Sequence, residues 1–261
     1  MQIGALRLAV PIRRDGAAVA LGVPLALLLM AVAGWWWSAR MAPDAGPGGM
    51  GEMTAMQAGM SVGAFVVAWV AMMAAMMLPA VVPVVKLYAR ASARGRAAPT
   101  AFFVLGYLAV WSAMAAPAYF AWRALERPLA DGQPWVARVA GATFLAAAVW
   151  QLTPLKTLCL RHCRSPIGFF LRFGGNIKRP WGAARMGAAH GGFCLGCCWA
   201  IFAVLVVLGT MNLAWMAVLT GLIVLEKNAP RGEAISVAAG AAFAIVGGLL
   251  LVDTSILMRL T

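Results

Sequence analysis

The chain has 261 residues, of which 63% are hydrophobic and only 11% charged, and it carries a formal net charge of +13. That balance excludes an ordinary soluble domain and points to an integral membrane protein. The basic excess would suggest nucleic acid in a soluble chain. Here it gathers in short stretches between apolar runs, so membrane topology explains it and no nucleic-acid partner is expected.

A hydrocarbon core needs about 20 apolar residues per crossing helix. Seven segments approach that length, which predicts an all-α, polytopic transmembrane helix bundle of about seven helices, or six if the shortest does not cross. The first runs from Ala17 to Trp37, behind Arg13 and Arg14. Its apolar core is longer than that of a secretory signal and no small-x-small cleavage site is evident, so it is expected to be retained. Its Trp35 to Trp37 cluster belongs at the outer interface. Ser38 to Ala58 follows as an outer loop rich in Met, Gly and Pro, with Asp44 and Glu52.

The next three segments are Gly59 to Val85, Thr100 to Trp122 and Val136 to Thr153. Pro154 to Met186 reads as a basic cytoplasmic loop, whose apolar patch at Ile167 to Phe173 suits the inner membrane surface. Gly187 to Leu208 is the fifth helix. A tight turn at Gly209 and Thr210 leads into the short sixth, Met211 to Leu225, and Glu233 to Val252 is the last. With the N-terminus cytoplasmic and the C-terminus periplasmic, 16 of the 21 Lys and Arg residues fall inside. There is no internal repeat, and residues 1–261 form a single integral membrane domain.

Cysteine and histidine are confined to one window. All five Cys and both His lie between Cys159 and Cys198. His190, Cys194, Cys197 and Cys198 stand at i, i+4, i+7 and i+8 on a predicted helix, so they share one side and make a candidate metal site. Cysteine also serves as a small buried hydrophobe, and Gly187, Gly191, Gly192 and Gly196 suit close helix packing. Against a purely structural role, a polar group in lipid costs free energy unless it is partnered. Cys159, His162 and Cys163 form a second, CxxHC, cluster at the start of the basic stretch.

Methionine supplies a third constellation. Met50, Met53, Met56 and Met60 lie in or beside the outer loop, and Met72, Met73, Met76 and Met77 follow as overlapping MxxxM pairs. Thioethers are soft, neutral donors that favour Cu(I), although Met is also an adaptable core filler. Glu226, beside Lys227, is an interfacial ion-pair partner, a hydrogen-bond partner of the ligand His, or the acceptor of a proton released as metal binds. Gln151 and Asn212 stand near helix ends, where water can satisfy them. No phosphate loop, nucleophile elbow or buried carboxylate pair is present, so a hydrolase or nucleotide-driven activity has no support.

The segments WVAMMAAMMLP (Trp69 to Pro79), QLTPLKTLCLRHCRSP (Gln151 to Pro166), GAAHGGFCLGCCW (Gly187 to Trp199) and GTMNLAWM (Gly209 to Met216), with Glu226 and Lys227, carry a family resemblance. The chain resembles the bacterial predicted metal-binding integral membrane proteins, which include membrane copper chaperones associated with tyrosinase-type oxidases. The resemblance implies a multi-pass inner-membrane protein, not an enzyme, that handles copper for a copper-dependent oxidase. His190 enters the ligand set by spacing rather than by resemblance.

The expected function is binding of Cu(I) through Cys and His, with Met as weaker transfer ligands, and its delivery or translocation to a copper-dependent partner. The thiols lose protons as metal binds, so affinity rises with pH. Two alternatives stay open: a membrane thiol-disulfide oxidoreductase using Cys194 and Cys197, and a structural subunit of a larger membrane complex. Sequence alone leaves the oligomeric state, the partner and the direction of metal movement undecided.

Overall fold

The computed structural model describes residues 14–41, 61–131, 133–208 and 212–260. Within them every regular element is helical and there is no strand. In chain order these are α1 (Arg14–Met41), α2 (Val62–Ala93), α3 (Thr100–Ala113), α4 (Ala115–Ala130), α5 (Pro134–Gln151) and α6 (Pro154–Arg164). They continue with α7 (Pro166–Phe173), a 3-10 turn (Gly174–Asn176), α8 (Pro180–Val207), α9 (Leu213–Asn228), α10 (Gly232–Val252) and α11 (Ser255–Leu260).

Local chemistry sets the helix starts. The Ser61 hydroxyl accepts from the Ala64 N–H at 3.2 Å, Thr153 from Lys156 at 3.3 Å, and the Asn212 side chain from Trp215 at 3.1 Å, each capping an otherwise orphaned donor. Proline opens α5, α6, α7 and α8, where its missing N–H costs nothing. Asn212 is therefore satisfied by its own helix rather than by water.

Among the described residues, five segments are long and apolar enough to cross a membrane: Gly22–Arg40, Val62–Ala93, Thr100–Leu125, Pro180–Val207 and Gly232–Val252. The third joins α3 and α4 across a break at Met114. Pro117 removes a backbone donor just past the break, and the Trp69 indole donates to the Trp111 carbonyl at 2.9 Å on its near side. A sixth crossing exists if α5 and α6, bent by 65°, count as one broken span. The expected sixth segment, Met211 to Leu225, is helical as α9 but has only 16 residues, too few to cross alone.

The stretch from Pro154 to Met186, expected as a loop, is almost wholly helical: α6, α7, the 3-10 turn and the start of α8 occupy it. Its apolar residues explain this, since Leu160 and Phe169 are buried and so draw the segment onto the bundle. On α7, Ile167 and Leu171 point outward.

Glycine fixes how close the site-bearing helices come. A Cβ on Gly106 would strike the backbone of Ala184, and one on Gly187 the backbone of Phe103, so α3 and α8 are in main-chain contact. Facing glycines Gly141 and Gly247 bring α5 and α10 together in the same way. α1 packs on α2.

The bundle is apolar at its periphery as well as in its core, unlike a soluble protein, and a few polar residues are buried within it. Large apolar side chains such as Leu29, Leu105, Phe120, Val149 and Ile245 are exposed at the periphery, while Gln151, Lys156, His190, Glu226, Lys227 and Ser236 are buried. Two of the basic residues counted toward the cytoplasmic side, Lys156 and Lys227, therefore stand inside the bundle.

A candidate thiol centre between α2, α3, α6, α8 and α9

Four of the five cysteines are buried, and all five are free thiols. On α8, Cys194, Cys197 and Cys198 share the inward face, as helical spacing requires. The Cys197 and Cys198 sulfurs are 3.4 Å apart, and Cys163 from α6 lies 3.9 Å from Cys197. Cys194 is 3.9 Å from the Met77 thioether of α2. Five sulfurs from three helices thus lie close together in the core.

Two further groups complete the centre. The Lys227 ammonium, from α9, donates to the Cys194 sulfur at 2.7 Å, and the Tyr107 hydroxyl of α3 is 3.1 Å from the same sulfur. Cys197 directs its thiol to the Cys194 carbonyl, 3.1 Å away. Among the described residues, no three His, Cys, Asp or Glu side chains already surround one point as a ready-made metal site. The sulfurs are close in pairs instead: Met77 with Cys194, and Cys197 with both Cys163 and Cys198.

The remaining expected ligands are distributed differently. His190 is buried in a box of Phe103, Tyr107 and Phe169, with the Phe169 ring edge-on at 5.0 Å. Its Nδ1 has no hydrogen-bond partner. The CxxHC cluster divides: Cys163 joins the α8 thiols, whereas His162 stacks flat on Phe193 at 4.3 Å and donates from Nδ1 to the Leu158 carbonyl at 2.9 Å. Cys159 is half-buried, with its sulfur in the space that a side chain at position 196 would fill. Met72, Met73 and Met76 are buried beside Met77 on α2. Met50, Met53, Met56 and Met60 lie outside the described residues.

Glu226 corrects the sequence expectation. It pairs neither with Lys227 nor with His190. Its Oε2 accepts from the Lys156 ammonium at 2.7 Å and its Oε1 from the Gln151 amide at 3.0 Å, all three residues being buried. Gln151 is thus held by a carboxylate rather than by water. Adjacent positions on a helix point about 100° apart, so Glu226 and Lys227 cannot share a partner. Arg164 fixes the end of α9 from the same side, donating to the carbonyls of Glu226, Ala229 and Pro230 at 2.6, 2.6 and 3.1 Å.

Sequence reasoning missed Lys227, Tyr107 and Lys156. Lys227 left little signal, since a lysine at the end of an apolar helix ordinarily snorkels to the interface. Tyr107 left none. A half-open cavity of about 340 Å³ beside the centre, between Trp69, Trp111, Leu195, Trp199 and Phe202, is almost wholly apolar. Met114 and Thr143 are the lining side chains with a sulfur or oxygen atom, and no Cys, His or carboxylate lines it.

These features define an all-helical protein with membrane-length helices and a buried centre of soft donors and one cation. The chain belongs to the PpoB2 copper chaperone family, whose model matches residues 66–250. That match covers α2 through most of α10 and includes every residue of the thiol centre. No curated protein and no solved structure matches the chain.

Proposed function

We propose that the protein is a multi-pass inner-membrane copper chaperone that binds Cu(I) at the thiol centre and hands it to a copper-dependent partner, such as an oxidase. The observation that carries this reading is the convergence of Cys163, Cys194, Cys197, Cys198 and Met77 from three helices. Thiolate and thioether donors select Cu(I) over harder divalent ions. Coordination needs thiolates, which are costly in an apolar interior unless a countercharge accompanies them. Lys227 stands where that countercharge is required. His190, one helical turn from Cys194 and with a free ring nitrogen, is a reserve donor.

Cys159 and His162 lie on the same short helix as Cys163 and supply donors for entry or exit at the basic end. Met72, Met73 and Met76 continue the soft-donor line from Met77 along α2. With the bent α5–α6 pair and the short α9 each carried through the membrane against their neighbours, the distribution of basic residues puts the N-terminus in the cytoplasm and the C-terminus in the periplasm. The chaperone carries copper as cargo and is not itself an enzyme.

The rival reading, thiol-disulfide exchange between Cys194 and Cys197, fits the geometry less well. Cys197 turns its thiol to the Cys194 carbonyl, and the Cys198 and Cys163 sulfurs stand 3.4 and 3.9 Å from its own, so no isolated pair is set aside for exchange. Metal binding by anaerobically purified protein decides between them. Cu(I) should outcompete Zn(II), and Cys194→Ser and Cys197→Ser should each lose tightly bound copper while still inserting and folding. Full copper occupancy in both variants would remove the thiols as the site. A wild-type disulfide that both variants abolish, with copper content unaffected, would establish the redox reading.

A further inference from the structure

Around the thiol centre the buried lysines differ in their partners. Lys156 and Glu226 neutralise each other at 2.7 Å. The part-buried Arg164 lies at the end of α9, where it donates to three carbonyls. Lys227 instead meets a sulfur, Cys194, at 2.7 Å. Tyr107 and Met77, which also face the centre, carry no charge of their own at neutral pH, and His190, one helical turn from Cys194, is buried among aromatic rings with no partner for its Nδ1.

We propose that Lys227 is a specificity-determining residue that fixes the charge, and hence the ion, that the centre accepts. This rests on the thiol-centre reading above. With the ammonium in place, one monovalent cation and two thiolates sum to zero, and Met77 adds a third donor without adding charge. Cu(I) accepts such low-coordinate, sulfur-rich surroundings. A divalent ion on the same two thiolates leaves an uncompensated positive charge beside Lys227, which is costly where the dielectric is low. To neutralise it the centre must ionise a third thiol and gather more donors around one point. Lys227 thereby discriminates by valence, a property that soft ligands alone do not supply.

The test is competition between Cu(I) and Zn(II) for the full-length protein in detergent, under anaerobic and reducing conditions, in the wild type, Lys227→Leu and Lys227→Arg. Leucine removes the charge without adding a soft donor; arginine keeps the charge. In Lys227→Leu the preference for Cu(I) over Zn(II) should fall by at least about tenfold, with Zn(II) binding unchanged or tighter. Lys227→Arg should keep the wild-type preference. A purely structural lysine would weaken both metals together and leave their ratio alone, and that result would overturn the proposal. If Lys227→Leu does not fold, Lys227→Gln carries the same comparison. Wild-type protein without thiol-dependent Cu(I) binding would overturn both the site and the role of the lysine. Wild-type binding that is intact, with an unchanged ratio in the neutral variant, overturns the role of the lysine alone.

Discussion

Lys156 and Lys227 are two buried ammonium groups in one bundle, and they end in opposite circumstances. Lys156, on the broken span, meets the Glu226 carboxylate, and the Gln151 amide completes a closed polar node. Lys227, the next residue after Glu226, meets the Cys194 sulfur. The first arrangement is internally neutral and has no need of a ligand. The second stays balanced only while sulfur carries negative charge, so it responds to whatever binds there. Neighbours in sequence thus divide into a structural pair and a pair with chemistry left to do, because one helical step turns them toward different helices.

The largest effect should come from breaking the structural pair. Glu226→Gln leaves the Lys156 charge buried and unpaired, which should destabilise the protein by about 3–5 kcal/mol, read as a lower unfolding temperature in detergent. Replacing both partners, Lys156→Met with Glu226→Leu, should recover most of that loss, since a well-packed apolar pair often substitutes for a buried ion pair. A double variant as unstable as the single one would mean that the pair positions α6 as well as neutralising itself.

A smaller effect sharpens the other side of the comparison. Met77→Leu conserves volume at a fully buried position and should change stability by less than about 1.5 kcal/mol, while weakening Cu(I) retention in chelator competition by less than Cys194→Ser does. Unchanged retention would return Met77 to a packing role. The smallest effect is expected at the exposed ion pair between Arg161 and Glu233, 3.0 Å apart at the rim of the bundle. Arg161→Ala should leave both the unfolding temperature and copper retention unchanged, because solvent screens such a pair.

Much of this architecture was legible in advance. Apolar length alone marked most of the crossing helices, because lipid allows few alternatives to a helix with its backbone bonds satisfied internally. The shared face of Cys194, Cys197 and Cys198 followed from a period of 3.6 residues. The Pro154 to Met186 stretch was harder, since short amphipathic helices that dock on a bundle have neither the length nor the uniform apolarity of a span. The fate of the CxxHC cluster was not legible. Cys159, His162 and Cys163 are close in sequence, yet only Cys163 meets the α8 thiols, and His162 is taken by the Phe193 ring.

The sequence by itself determined the helical class and the presence of soft donors on α2, α6 and α8. These are consequences of composition and of helical period, which act within a single segment. Only the tertiary structure decided that Gln151, Lys156, Glu226 and Lys227 stand inside the bundle, that Lys227 faces a thiol and Lys156 a carboxylate, and that Tyr107 and Met77 meet Cys194. Those pairings depend on the glycine-mediated approach of α3 to α8 and on the 65° bend between α5 and α6. Contacts between segments far apart in the chain are set by how whole helices pack, and no local pattern of residues encodes them.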